Sequence, residues 1–226
     1  RLIDLGKELS SWVKMLGEFS QWVQENGHPV PRMMLAKAPF DTIGDTLRGT
    51  KGIIKDMFRR PEKLMEAIEV VTDFTIRQTI EAANANRTVT AFFPLHKGAD
   101  GFMSPKQFEK FYWPSLKKVV DALGKEGIRT ELFAEGSYTT RLETVNEFAK
   151  GDVGWLFDKT DMARAKETVG KTCCISGNVP SSLMVTGEPK QVKEYCRKLI
   201  EVCAPGGGFI LSGGAHVDQG NPDNLP

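Results

Sequence analysis

VTAFFPLHKGADGFMSPKQFEKFYWPSLKKVVDALGKEGIRTELFA, residues 89–134, contains one complete strand–helix–strand unit. Val89 to Leu95 is a short apolar run that reads as a buried strand, and Ile128 to Ala134 (IRTELFA) reads as the next one. Between them, Ser104-Pro105-Lys106-Gln107 has the form of a capping box with proline at the first helical position. Phe108, Phe111, Tyr112, Leu116, Val119, Val120 and Leu123 then supply one apolar helical face, which Pro114 is expected to kink. Parallel strands need a long crossover of this kind, so the unit predicts a parallel sheet.

The pattern repeats in both directions. Downstream, residues 139–150 read as a helix, Val153 to Phe157 (VGWLF) as a strand and 161–169 as a short helix. Thr172 to Ser176 (TCCIS) is the next strand, and Val192, Tyr195, Cys196, Leu199, Ile200 and Cys203 share one helical face. Gly208 to Ser212 (GFILS) is the last strand. Upstream, Leu5, Leu9, Trp12, Val13, Leu16, Phe19, Trp22 and Val23 give residues 1–26 an amphipathic helical period that Gly27-His28-Pro29 ends. Pro31 to Ala38 (PRMMLAKA) reads as a strand, and residues 41–52 as a polar, glycine-containing loop. A helix starts at Pro61 and runs toward residue 85.

Six βα-like units in succession predict an α/β fold with a parallel sheet buried on both faces. A doubly wound sheet is the competing architecture, but no GxGxxG or Walker loop follows any strand. The strand spacing favours a (β/α)8 TIM barrel that is incomplete in this chain, with about six βα units present. We expect a single domain over 1–226, with 1–30 as an N-terminal helical segment and 31–226 carrying the βα units.

The 226 residues hold 30 Lys+Arg against 29 Asp+Glu, a net charge of +1. Charges so closely balanced offer no clustered cationic surface for a polyanion, so nucleic acid is not an expected partner. No apolar run approaches the roughly 18 to 20 residues that span a bilayer. With no basic, apolar leader at the start, a cytoplasmic location without membrane association is the default expectation. Cys173 and Cys174 are adjacent and Cys196 and Cys203 lie seven apart, so no CxxC pair offers ligand or redox spacing, and buried free thiols are expected.

Barrel enzymes place chemistry just past the C-terminal ends of strands. That rule selects Asp41 and Asp45 after the first strand; His96, Lys97 and Asp100 after the second; Glu135 and Tyr138 after the third; Asp158 and Asp161 after the fourth; Asn178 after the fifth; and His216 and Asp218 after the last. Each has a structural alternative. Asp41 suits an Asx turn and Asp45 a helical cap, while His96 suits either proton transfer or a hydrogen-bonded rim. Glu135 is the strongest candidate, because an acid past a buried strand must be paired or shifted in pKa, although Arg141 is a ready structural partner. Asp161 and Thr160 suit a helix cap. His216 follows Gly213-Gly214, which allows either close approach to a ligand or only a turn. No HExxH or HxH spacing points to a metal site, and no GxSxG elbow is present.

Ala38-Pro39-Phe40 with Thr46-Leu47-Arg48-Gly49, then SPKQFEKFYWP at 104–114, Leu132-Phe133-Ala134, DMARAKETVG at 161–170, Gly177-Asn178-Val179-Pro180 and Asn221-Pro222-Asp223-Asn224-Leu225 form an ordered series. The series resembles the uroporphyrinogen decarboxylase family over roughly residues 30 to 226. The resemblance implies a (β/α)8 barrel whose cleft accepts a tetrapyrrole or a tetrapyrrole-bound reactive group. It covers both cofactor-free decarboxylases of porphyrin biosynthesis and corrinoid-dependent methyltransferases. The family's N-terminal strands, with an arginine-bearing loop and an early aspartate, have no counterpart here, which suggests a chain lacking its start.

Compared with that family, Asp45 stands where the decarboxylases carry a functional tyrosine, and Gly214 where they carry a histidine, with His216 two residues on. The zinc-dependent methyltransferases carry His-x-Cys where this chain has Phe133 and Glu135, and a cysteine at the position of Gly214. The usual zinc ligand set is thus absent, and Glu135 remains a candidate ligand only in a different set. The expectation is corrinoid (cobalamin)-dependent methyl transfer, with Glu135 and His96 as acid/base or ligand groups and Asp158 in support. Asp41, Asp45, Tyr138, Asn178 and His216 are expected to bind substrate, and no metal ligand is assigned. Uroporphyrinogen decarboxylation is the alternative, and binding of a tetrapyrrole or corrinoid protein without turnover is a third reading. A homodimer is expected from the family alone.

Overall fold

A computed structural model of the chain describes residues 1–28, 33–217 and 222–224. Pro29, Pro31, Asp218, Asn221 and Leu225, named above, lie outside the described residues. The chain divides into two compact units, Arg1–Arg32 and Met33–Pro226. The first is one helix, α1 (Leu2–Glu25), whose apolar period is the one read from the sequence and which buries none of its residues. None of the helices among the described residues is long and apolar enough to cross a membrane.

The second unit alternates strands and helices. In chain order these are β1 (Met34–Leu35), α2 (Pro39–Asp41), α3 (Gly49–Arg59), α4 (Pro61–Asn86), β2 (Thr90–Leu95), α5 (Pro105–Gln107), α6 (Trp113–Lys125), β3 (Arg129–Ala134) and β4 (Val153–Phe157). They continue with α7 (Met162–Glu167), β5 (Cys174–Val179), α8 (Ser181–Thr186), α9 (Pro189–Cys203) and β6 (Phe209–Gly213). All strands pair in parallel in the sequential order β1-β2-β3-β4-β5-β6. A doubly wound sheet would reverse that order at a switch point, so this is the sheet of an incomplete (β/α)8 barrel.

Strand alternation divides the sheet into two faces. Ala91, Phe93 and Leu95 on β2, Leu132 and Ala134 on β3, and Trp155 and Phe157 on β4 are fully buried. They form a core with Phe108, Leu116, Val119 and Leu123 from the crossover that includes α6. The register also fixes the site. Leu95, Ala134, Phe157 and Gly177 lie side by side across four strands. The residue following each of these (His96, Glu135, Asp158 and Asn178) therefore shares one row at the C-terminal end of the sheet.

Three local expectations are corrected. Residues 41–52 are not a loop: α2 runs into a π-helical segment, Thr42–Leu47, and then α3. Residues 139–150 do not form a helix but a series of turns, with Arg141 N donating to Tyr138 O and Thr144 N to Arg141 O. Here Ser137, Thr140 and Arg141 direct their side chains to Asp100, Gly98 and Met103, and these bonds compete with a helical ladder. Pro114 does not kink a continuous α-helix, because a π-helical turn over Phe108–Tyr112 precedes α6 and places the proline at its first turn. The capping box forms as read, with Ser104 Oγ accepting from Gln107 N and Ser104 N donating to Gln107 Oε1.

Candidate active site

Asp41 and Asp45 are four residues apart on the helical segment after β1, so both reach the end of β2. Asp41 is fully buried. Its Oδ2 accepts from His96 N at 3.0 Å and from Tyr112 Oη at 2.7 Å, and its Oδ1 accepts from Lys97 N at 3.1 Å. Burial pushes its carboxyl up to about 6 even though these donors favour the anion. Burial and the nearby Asp41 also raise the Tyr112 phenol above its ordinary value.

Asp45 behaves in the opposite way. Its Oδ2 lies 2.6 Å from His96 Nδ1 and 3.1 Å from Lys37 Nζ, and Lys97 Nζ donates to its Oδ1. Burial opposes its ionisation, but the hydrogen bonds from Lys97, His96 and Lys37 prevail and hold the carboxyl well below the usual range. Lys97 reaches Asp45 across Gly44, where a Cβ would stand 2.8 Å from the lysine's Cδ and Cε. Its ammonium also lies 5.6 Å from the centre of the Phe102 ring.

The other edge of the His96 ring faces Glu135, with Nε2 at 3.7 Å from Oε1. That is beyond hydrogen-bond distance, so the two atoms stand side by side, close enough for one donor group above them to reach both. Arg141 is not the partner of Glu135. It is buried, donates to Gly98 O and Met103 O, lies 3.5 Å from Asp100 and stacks over Phe108 at 4.7 Å. Asp158 supports the neighbouring loop, its Oδ2 accepting from Gly136 N at 3.0 Å.

The remaining candidates are placed differently. Tyr138 is fully buried, its hydroxyl donating to Leu95 O at 3.4 Å. Asn178 donates through Nδ2 to Thr160 O at 2.7 Å, and it lines an open cleft of about 640 Å³ with Asp158, Lys159, Ser181 and Tyr195. His216 is exposed beyond β6. Asp161 caps α7, accepting from Arg164 N. Lys37 and Tyr112 were not selected from sequence. Tyr112 reads there as one more apolar-face residue, and Lys37 as part of a strand.

Among the described residues, no three or more His, Cys, Asp or Glu side chains stand together as a metal site would require. Gly214 is closed as well, since a Cβ there would lie 2.7 Å from Asp158 O and 3.1 Å from Asp158 Cα. The residues present therefore do not fit a zinc–thiolate site in which position 214 supplies a ligand.

The model of the family described as uroporphyrinogen decarboxylase (URO-D) matches residues 10–224. A uroporphyrinogen decarboxylase of Geobacter metallireducens is 31% identical over 171 residues, 73% of this chain and 48% of that protein. One from Carboxydothermus hydrogenoformans is 30% identical over 198 residues, 84% of this chain and 54% of that protein. Among solved structures, a methyltransferase from Methanosarcina mazei superposes with a TM-score of 0.71 at 18% identity, covering 89% of this chain and 58% of that one. The chain thus spans about half the length of the curated relatives it matches. With a family match over nearly all its residues, the chain belongs to the uroporphyrinogen decarboxylase family.

Proposed function

We propose that the protein acts in corrinoid-dependent methyl transfer, with His96 and Glu135 exchanging a proton with an oxygen or nitrogen substrate. The corrinoid, carried by a partner protein, is here a substrate and not a resident group. The observation that supports this reading is the His96 ring held between Asp45 at 2.6 Å and Glu135 at 3.7 Å. In this reading, Nε2 takes the proton of an O–H or N–H group as it becomes the methyl acceptor, and returns it in the reverse direction. Glu135 orients that group, and Asp158 fixes the Glu135 loop through Gly136 N.

Decarboxylation of uroporphyrinogen is the second reading, favoured by the names of the curated relatives. It is weaker because acetate carboxylates call for available cations, and the two lysines nearest His96, Lys37 and Lys97, are both engaged by Asp45. Incubating the full-length protein with methylcobalamin and phenol, and separately with uroporphyrinogen, distinguishes the readings. We expect loss of the methyl–cobalt absorbance in the first tube, slowed at least tenfold by Glu135→Gln. Carbon dioxide release in the second tube with no change in the first would reverse the ranking. Tetrapyrrole binding with turnover in neither tube would favour a binding protein.

A further inference from the structure

We infer that Asp45 is a positioning residue that locks His96 in its Nδ1–H tautomer, with Lys37 and Lys97 holding the Asp45 carboxylate in place. The inference deepens the proposed function, resting on His96 as the proton-exchanging group. It reassigns Asp45 from substrate binding to a role behind the ring.

An ionised carboxylate has no proton to donate, so the 2.6 Å contact between Asp45 Oδ2 and His96 Nδ1 requires the hydrogen to be on Nδ1. Free imidazole side chains prefer the other tautomer, with the hydrogen on Nε2. The lock therefore leaves Nε2 as a bare acceptor beside Glu135 Oε1. A neutral ring in this state presents two adjacent acceptors, Nε2 and Glu135 Oε1, which fit a substrate group with a hydrogen to donate.

Asp45 is itself held by three donors. Its Oδ1 takes Lys97 Nζ, and its Oδ2 takes both Lys37 Nζ and His96 Nδ1, so three of its roughly four acceptor positions are already used. The groups facing His96 from neighbouring elements are Asp45 with its two lysines, Glu135 from the end of β3, and Asp41, which accepts from His96 N. Asp41 fixes the ring's backbone, while Asp45 fixes its proton. Gly44 is part of the device, because a side chain there would displace the Lys97 stem.

The test uses the full chain with ¹⁵N-labelled histidine and two-bond ¹H–¹⁵N correlation spectra at a pH where the rings are neutral. The three histidines are assigned by the signal lost in His96→Gln. His96 is expected in the Nδ1–H form, and Asp45→Ala should shift its tautomer ratio at least tenfold toward Nε2–H. Gly44→Ala, which removes neither group, should shift it in the same direction by a smaller factor and serves if Asp45→Ala fails to fold. An Nε2–H ring in the unaltered protein, or a ratio unchanged in both variants, overturns the inference. Methyl transfer failing while the Nδ1–H form is observed would refute the proposed function and leave this inference standing. Turnover with an Nε2–H ring would do the reverse.

Discussion

Replacing Asp41 with asparagine should change how stability depends on pH, in a direction opposite to most paired carboxylates. Asp41 is fully buried, and three donors favour its anion, yet desolvation prevails and raises its pKa from the ordinary 3.8 to about 6. Below 3.8 the group is protonated in both folded and unfolded chains, and above 6 it is ionised in both. Between those values the folded chain holds a proton that the unfolded chain has released, so stability falls as pH rises. The full interval corresponds to about 3 kcal/mol, of which about 2 kcal/mol falls between pH 4.5 and 7.5. The asparagine variant carries a constant cost, because its amide meets at least one of the donors His96 N, Lys97 N or Tyr112 Oη with the wrong polarity. That constant cancels when the pH dependence of the difference is taken. Urea unfolding followed by tryptophan fluorescence at a series of pH values gives the stability of each protein. Unaltered minus variant stability should drop by about 2 kcal/mol between pH 4.5 and 7.5. A flat or rising difference would mean that the three hydrogen bonds outweigh burial, and would refute the argument.

Two further perturbations address the surroundings of the site. Arg141→Met keeps the bulk but leaves Gly98 O, Met103 O and Asp100 without their buried partner, and should lower the urea-unfolding free energy by about 3 kcal/mol; a loss below about 1 kcal/mol would show that solvent replaces it readily. Gly214→Cys forces a Cβ against the Asp158 backbone, so it should destabilise the chain by about 1–3 kcal/mol and gain no stoichiometric zinc by elemental analysis. Zinc taken up by that variant and lost again with Glu135→Ala would show that the strand end is more open than its geometry implies.

The strands were legible because most carry a short apolar stretch, such as Ala91–Leu95 or Trp155–Phe157, bounded by polar or glycine positions, and the parallel order followed from the crossover lengths. The helix expected over 139–150 failed for a local reason. Leu142, Val145 and Phe148 do point into the core, but Arg141 turns inward beside them to bond Gly98 and Met103. The strand-end rule gathered His96, Glu135, Asp158 and Asn178 into one row because parallel register places equivalent positions side by side. It could not rank Asp41 and Asp45, whose contacts with His96 and Lys97 join residues more than 50 apart in sequence. Nor could it separate Tyr138, buried behind the row, from residues facing the cleft, since exposure depends on packing that no short stretch encodes.

The segment from His96 to Met103 is fastened at both ends, by Asp41 on its first two amides and by Arg141 on Gly98 O and Met103 O. Asp100 is tied to Ser137 and Thr140 between them. Confining a residue's backbone to one conformation costs about 1–2 kcal/mol. For the loop that carries His96, this loss of freedom has already occurred when the chain folds. A ligand arriving at the imidazole meets a group that is already ordered, so less of its binding energy is consumed in organising the loop, and more remains for discriminating one substrate from another.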